Sequence, residues 1–177
     1  MTNTDIADSK RTDFRHAMAR LGAAVSIISS NGKGGRCGVT ATAVCSVTDS
    51  PPTLLVCINR SSAMNAVFKA NGMGCVNVLS AEQEDLARDF AGMTGISMEE
   101  RFARPGWVES EYSLPVLQEA LANLQGRIVR ADELGSHTVM IVELDAISLL
   151  ANGGDGLVYF SRQFHRVPGR KAVEHHG

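Results

Sequence analysis

The chain has 177 residues, of which 44% are hydrophobic and 20% charged, a composition typical of a folded globular protein. Its length indicates one domain over residues 1–177 that can bury a core without disulfides or structural metal. The 17 basic and 19 acidic residues give a formal charge of −2 and form no basic run, which argues against nucleic acid and anionic membrane as partners.

The termini and cysteines indicate a cytoplasmic protein. Residues 1–12 are polar and lack the apolar segment of a signal peptide, and no apolar stretch approaches the ~20 residues that span a bilayer. Residues 1–12 and 168–177 are expected to be loose. Cys37, Cys45, Cys57 and Cys75 form no CxxC pair, so we expect four buried thiols and no metal site.

The first half of the chain predicts one helix and then strands. Phe14, Ala17, Met18 and Leu21 recur at helical spacing, and Gly22 follows as a stop. Small and β-branched residues then predict strands over 23–30, 37–47 and 53–59.

The next segment predicts helices between strands. Ser61 or Ser62 can cap a helix that Gly72 closes, and a buried strand is expected over 74–79. A capping box over 80–83 precedes a helix that ends near Gly92. Residues 92–113 predict a long loop with one helical turn beginning at Ser97.

The last third predicts strands again. A long hairpin is expected over 122–130 and 138–150, followed by a closing strand over 157–160. The strands do not alternate regularly with helices, so the fold class is mainly β (α+β), an antiparallel barrel or sandwich with peripheral helices.

Common chemical motifs are missing from the sequence. It contains no GxGxxG, GxxxxGK[ST], GxSxG or HExxH, which argues against a Rossmann site, a P-loop, a serine hydrolase and a zincin.

The segment 38–47 is the strongest internal signal, because it is rich in small and hydroxyl side chains. Small residues let backbone N–H groups approach a planar or anionic ligand closely. A strand packed against a close neighbour explains the same composition equally well.

Four further features have both a binding and a structural interpretation. Ser61 and Ser62 at a helix start can bind phosphate or serve only as a cap. Asn77, in an apolar strand, needs partners from the backbone or from a ligand. His137 follows a turn and can contact a ligand or only solvent. Tyr159 can line a pocket or belong to the core.

Taken in order, these segments resemble a known family. The stretches 14–18, 38–47, 55–59, 75–79, 90–92, 135–137 and 159–160 are similar to the short-chain flavin reductases of two-component monooxygenases, over residues 13–167. The branch that serves hydroxylation of an aromatic compound such as 4-hydroxyphenylacetate is the most similar, and the branch that serves pyrimidine degradation is the near rival.

The resemblance implies a split β-barrel of Greek-key type, usually a homodimer. It also implies reduction of free FMN or FAD by NADH, or by NADPH, without a Rossmann domain. The reduced flavin would serve a separate flavin-dependent oxygenase through transient contact. For an NADPH 2′-phosphate, the sequence leaves Arg36, Arg60 and Arg162 open.

The resemblance also implies site residues. The flavin ring and ribityl chain would follow Thr40, Ala41, Thr42, Ala43, Cys45 and Ser46. The ribityl and phosphate would lie near Asn59, Ser61 and Ser62, with Asn77 bordering the flavin and Tyr159 in the wall. His137 would face the nicotinamide and orient it. Ser136 departs from the acidic residue that often precedes this histidine.

Two other function classes stay open at this point. One is a flavin- or haem-binding split-barrel module without reductase activity, and the other is an adaptor subunit that only binds an oxygenase. Flavin binding without NADH oxidation would indicate the first, and stable co-purification without flavin binding the second.

Overall fold

The structure is a computed structural model that describes residues 3–169, and it is mainly β. The strands are β1 Ala23–Ala24, β2 Ser26–Ser30, β3 Cys37–Ala41, β4 Val44–Asp49, β5 Pro52–Asn59, β6 Met73–Val78, β7 Trp107–Glu109, β8 Pro115–Leu117, β9 Ala122–Leu134, β10 His137–Leu149, β11 Gly156–Phe160 and β12 Gln163–Val167. The helices are α1 Asn3–Met18, α2 Ala63–Asn71, α3 Glu84–Phe90 and α4 Met98–Phe102, with a 3₁₀ turn over Ala81–Gln83 that leads into α3.

A seven-stranded antiparallel sheet forms the body of the protein, in the order β3-β2-β6-β9-β10-β5-β4. Within it, β6, β9 and β10 are neighbours, and β5, which precedes β6 in the chain, lies beside β10. That order of four strands is a Greek key, so the predicted topology is confirmed. The edge strand β3 also contacts β5, so the sheet curves back toward its own other edge.

The core lies inside this curved sheet. In β5, Leu54, Val56 and Ile58 are buried while the residues between them are more exposed, which is the alternation of a strand with one face on the core. Phe68 of α2 joins the same apolar cluster. Helix α2 therefore packs on the large sheet, and this packing holds the turn between β5 and α2 in place.

A second cluster packs on the outside of β3. The ring of Phe90 lies 5.0 Å from that of Phe102 and 5.3 Å from that of Trp107. Gly38 of β3 faces this cluster, and a Cβ atom there would lie within 2.6 Å of Phe90. The long segment after α3 is thereby held against the sheet, with one short helix in it, as the sequence predicted.

The described residues also form two smaller sheets, with strand orders β1-β11-β12 and β7-β8. The predicted strand over 23–30 is divided between the first of these and β2. The strands β7, β8 and β12 were not predicted, and β7 lies within the segment 92–113 that was expected to be a loop. No helix of the described residues is long and apolar enough to cross a membrane.

Three sequence predictions need correction. Helix α1 begins at Asn3, well before Phe14, so most of the segment expected to be loose is helical. The predicted strand over 37–47 is two strands, because the chain crosses from one edge of the sheet to the other at Thr42 and Ala43. Cys45 is exposed and Cys57 only half-buried, so two of the four thiols are not core residues. Of the predicted loose C-terminal segment, residues 170–177 lie outside the described residues.

Candidate functional site

The chain crosses between the two edges of the large sheet at Thr42 and Ala43, and both residues are exposed. The carbonyl of Ala43 accepts a hydrogen bond from the backbone N–H of Cys57 at 3.0 Å. The crossing therefore lies directly beside β5. It brings part of the small-residue segment predicted from the sequence onto a surface that also includes β5 and β10.

The outer face of β4, β5 and β10 carries small and apolar side chains. Strand register places Cys45 opposite Leu55 and Cys57 opposite Val139, and each of these four residues is exposed or half-buried. Paired residues in antiparallel strands project to the same face. We call this surface, Cys45, Leu55, Cys57 and Val139, the outer patch.

Polar groups border the outer patch where β5 ends. His137 pairs with Asn59 across β10 and β5, and both side chains are exposed. The Asn59 Oδ1 accepts hydrogen bonds from the backbone N–H and the Oγ of Ser61, each at 2.9 Å. Asn59 thus shapes the turn that leads away from the patch.

Ser62 is the N-cap of α2, and its Oγ accepts a hydrogen bond from the N–H of Met64 at 3.3 Å. The N–H of Ser62 itself donates to the carbonyl of Asn59 at 3.1 Å. The N–H groups of Ser61 and Ser62 are therefore engaged within the loop. A phosphate near Ser61 and Ser62 would therefore meet their hydroxyls rather than free backbone N–H groups.

Positive charge at this site comes from side chains instead. Arg60 and Lys69 line a cavity of about 590 Å³ together with Ser61 and Ser62. Glu133 lies between the two cations, with its Oε2 2.8 Å from Arg60 Nη2 and its Oε1 3.0 Å from Lys69 Nζ. The hydrogen bond from Lys69, then the charges of Arg60 and Lys69, hold the pKa of the Glu133 carboxyl below its ordinary value.

Arg60 also connects this cavity with the turn before His137. Its backbone N–H donates to the carbonyl of Ser136 at 2.9 Å, and its Nη1 donates to the carbonyl of Gly135 at 3.0 Å. Ser136 Oγ lies 2.9 Å from His137 Nδ1. The hydroxyl of Ser136 can therefore orient the imidazole of His137.

Asn77 does not border this surface. It is fully buried, its Nδ2 donates to the carbonyl of Ile27 and to Ser29 Oγ, and its Oδ1 accepts from the N–H of Leu117 and from Asn123 Nδ2. These four bonds lie between 2.8 and 2.9 Å. The hydrogen-bonding capacity of this amide is used within the protein, so Asn77 has a structural role in joining β6 to its neighbours, and its position beside the flavin stays a prediction.

Other predicted residues lie away from the outer patch. Thr40 Oγ1 donates to the carbonyl of Ala87 in α3 at 2.6 Å, and Ala41 is buried in the core. Tyr159 pairs with Ala23 in the small sheet and packs on Phe164. The structure therefore leaves Thr42, Ala43, Cys45 and Ser46 as the exposed part of the predicted flavin strand.

The site contains two residues that sequence reasoning did not assign to the flavin phosphate. Arg60 was considered only for a nicotinamide 2′-phosphate, and Lys69 was not considered. A signal for Lys69 was available, since it follows Ser62 by seven residues, about two helical turns along one face of α2.

The described residues fit a phosphorylated flavin. The cavity beside α2 offers two cations and two hydroxyls, which are suitable partners for a phosphate dianion. The neighbouring outer patch offers small apolar side chains, Ala43 and Cys45 among them, on which a planar ring can lie. Arg60, Lys69, Ser61 and Ser62 would hold the phosphate, and the patch would hold the ring.

Comparisons with known proteins are consistent with this geometry. Residues 18–168 match the family described as Flavin reductase like domain. The 4-hydroxyphenylacetate 3-monooxygenase reductase component of Pseudomonas aeruginosa is 62% identical over 160 residues, covering 90% of this chain and 94% of that protein. FMN reductase (NADH) of Ancylobacter novellus is 50% identical, covering 90% and 86%.

A solved structure shares the architecture. The flavin reductase component of a bacterial two-component tryptophan halogenase superposes with a TM-score of 0.83 at 28% identity, covering 90% of this chain and 99% of that one.

Proposed function

This chain belongs to the flavin reductase-like family, and on that premise we propose that it uses NADH or NADPH to reduce FMN or FAD. The family and the split-barrel fold predicted from the sequence are both confirmed. The observation that carries the proposal is the junction of the outer patch with the cationic cavity at the end of β5. A planar ring and a phosphate can be held there by one short segment of chain.

The redox chemistry belongs to the two nucleotides, since the nicotinamide supplies a hydride that the flavin ring accepts when both are bound. The protein has to bind and orient them. Ser61, Ser62 and the two cations bind the phosphate, while the outer patch excludes water from one side of the ring. His137, steadied by Ser136, orients the nicotinamide and is not required to move a proton.

Reduced flavin then leaves for a separate oxygenase. The Pseudomonas relative is a reductase component of a monooxygenase that acts on 4-hydroxyphenylacetate by name, which favours hydroxylation of an aromatic compound of that kind for this chain. The Ancylobacter relative is an FMN reductase (NADH) by name, which favours FMN and NADH for this chain, and service to a pyrimidine-degrading monooxygenase is the alternative.

We also propose a homodimer. Helix α1 exposes Phe14 and Met18, which are 63% and 41% exposed, and Leu21 in the following turn is 60% exposed. These exposed apolar side chains, and those of the outer patch, are surface that a second copy of the chain would cover. The free thiols and the use of NADH suit the cytoplasm, where we place the reaction.

The test is NADH consumption by the purified protein without flavin, with FMN and with FAD, repeated with NADPH. Turnover that saturates with added flavin is the expected result. Flavin binding without turnover for either nucleotide would overturn the proposal and favour a binding module.

A further inference from the structure

We propose that Glu133 is a competing anion built into the phosphate cavity, which weakens flavin binding so that reduced flavin can leave. This inference rests on the proposed function, because it assigns the cavity beside α2 to the flavin phosphate. The kind of ligand concerned is any phosphate ester seated there, from FMN or FAD.

The geometry places Glu133 where a phosphate would bind. Each of its carboxylate oxygens is bonded to a different cation, Arg60 at 2.8 Å and Lys69 at 3.0 Å. All three side chains line the same cavity as Ser61 and Ser62. A phosphate that enters must share the N–H donors of Arg60 and Lys69 with the carboxylate or displace the carboxylate from them. It also meets the negative charge of Glu133.

The existing ion pairs are of the kind that can be exchanged. The side chains of Glu133, Arg60 and Lys69 are 47%, 46% and 37% exposed. Ion pairs in water contribute little net free energy, because solvent screens them and the long side chains lose freedom. A dianionic phosphate can therefore replace the carboxylate, although with less affinity than it would have in a cavity with two unopposed cations.

Glu133 is not required to hold Arg60 in place. Arg60 is tied to the turn before His137 through its backbone N–H and its Nη1, both of which donate to carbonyls. A purely orienting role for Glu133 would be redundant with these bonds. If Glu133 competes with phosphate, removing its charge should raise the affinity for FMN. If it only orients Arg60, removing its charge should lower that affinity, so the two roles can be separated.

The functional consequence follows from the nature of the product. A reductase that serves a separate oxygenase has to release its flavin, so tight binding would limit turnover by product release. One carboxylate that offsets part of the cationic charge lowers phosphate affinity without changing the surface that holds the ring.

The experiment measures equilibrium flavin binding by fluorescence for wild type, Glu133→Gln and Glu82→Gln. Glu82 is the matched control, since it is an exposed glutamate paired with Arg166 outside this cavity. We expect Glu133→Gln to bind FMN about fivefold more tightly, the effect of removing one like charge a few ångströms away in a largely aqueous site. Glu82→Gln should bind FMN as wild type does.

Riboflavin, which lacks phosphate, shows whether the change in affinity depends on the phosphate. Its affinity should be the same in Glu133→Gln and wild type. In a variant with Arg60→Gln and Lys69→Gln, FMN should bind more weakly, and adding Glu133→Gln should improve binding less than it does in wild type, because the carboxylate no longer competes for the two cations and only its charge repulsion is left. Thermal unfolding of each variant identifies any that fails to fold.

Weaker or unchanged binding of FMN to folded Glu133→Gln would overturn the inference, as would an equal gain for riboflavin. These binding measurements do not depend on turnover. If wild type consumed no NADH, the proposed function would fail while the role of Glu133 could still be judged from FMN binding.

Discussion

Asn77 and Asn59 occupy comparable places in the large sheet, yet their surroundings differ completely. Asn77 lies one residue before the end of β6, with no exposed surface and four short hydrogen bonds to protein groups. Asn59 ends β5, is exposed, and bonds only with the turn that follows it. The comparison teaches that a buried polar group with all its bonds made serves the fold, whereas an exposed one with local bonds can serve a ligand.

The cysteines give the sharpest test of that contrast between buried and exposed groups. Burial raises the pKa of Cys37 and Cys75 to about 12, whereas Cys45 is exposed on the outer patch. At pH 8 only about one in 10⁴ of the buried thiols would be thiolate, the reactive form. A thiol reagent should therefore label Cys45 first, and Cys37 and Cys75 more than a thousandfold more slowly.

FMN should slow the labelling of Cys45, since the ring would cover it, and peptide mapping identifies the labelled residue. Rapid labelling of Cys37 or Cys75 in the folded protein would contradict the described core. Labelling of Cys45 that is indifferent to saturating FMN would remove it from the flavin surface.

Replacing Asn77 should be the most damaging change to stability. In Asn77→Ala, the N–H of Leu117 and the amide of Asn123 lose a buried partner, so we expect a loss of about 3 kcal/mol or more. Urea unfolding measures it. Asn59→Ala, at an exposed position, should cost about 1 kcal/mol or less. Equal losses would show that the two amides do not differ as described.

His137→Ala should raise the KM for NADH about tenfold, the loss expected when one orienting contact of roughly 1.4 kcal/mol is removed. FMN affinity should change little, because the phosphate cavity is intact. The control is His165→Ala, which replaces an exposed histidine of a different strand, β12. An unchanged KM for NADH would exclude His137 from nicotinamide binding.

Ser62→Ala should cost about 1 kcal/mol of stability through loss of the N-cap of α2. Ser97→Ala removes the corresponding cap of α4 and should cost a similar amount. Only Ser62→Ala should also weaken FMN binding, by several-fold, since Ser62 lines the phosphate cavity. A parallel effect of both variants on FMN would mean that Ser62 acts only through stability.

Local signals in the sequence predicted much of the fold. The Ser62 cap, the Gly72 stop and the boxes at Ser80 and Ser97 are all present, because capping depends on neighbours within four residues. The crossing at Thr42 was missed because its cause is the pairing of β4 with β5, which composition within 37–47 does not reveal.

The candidate site was predicted less completely for the same reason. Asn59, Ser61 and Ser62 are adjacent in sequence and were found together. Lys69 and Glu133 are 64 residues apart and meet only because β9 passes beside α2. The burial of Asn77 depends on Leu117 and Asn123 from later segments, so an amide in a strand gave no indication of its role.

The crossing at Thr42 and Ala43 has a consequence for chain connectivity. The two edges of the large sheet, β3 and β4, are consecutive in sequence and joined by two residues. The length of that link therefore limits how far the edges can separate. An insertion there would let β3 and β4 move further apart. A circular permutant cut at that point would retain all seven paired strands and leave the ends of β3 and β4 unconnected beside the outer patch.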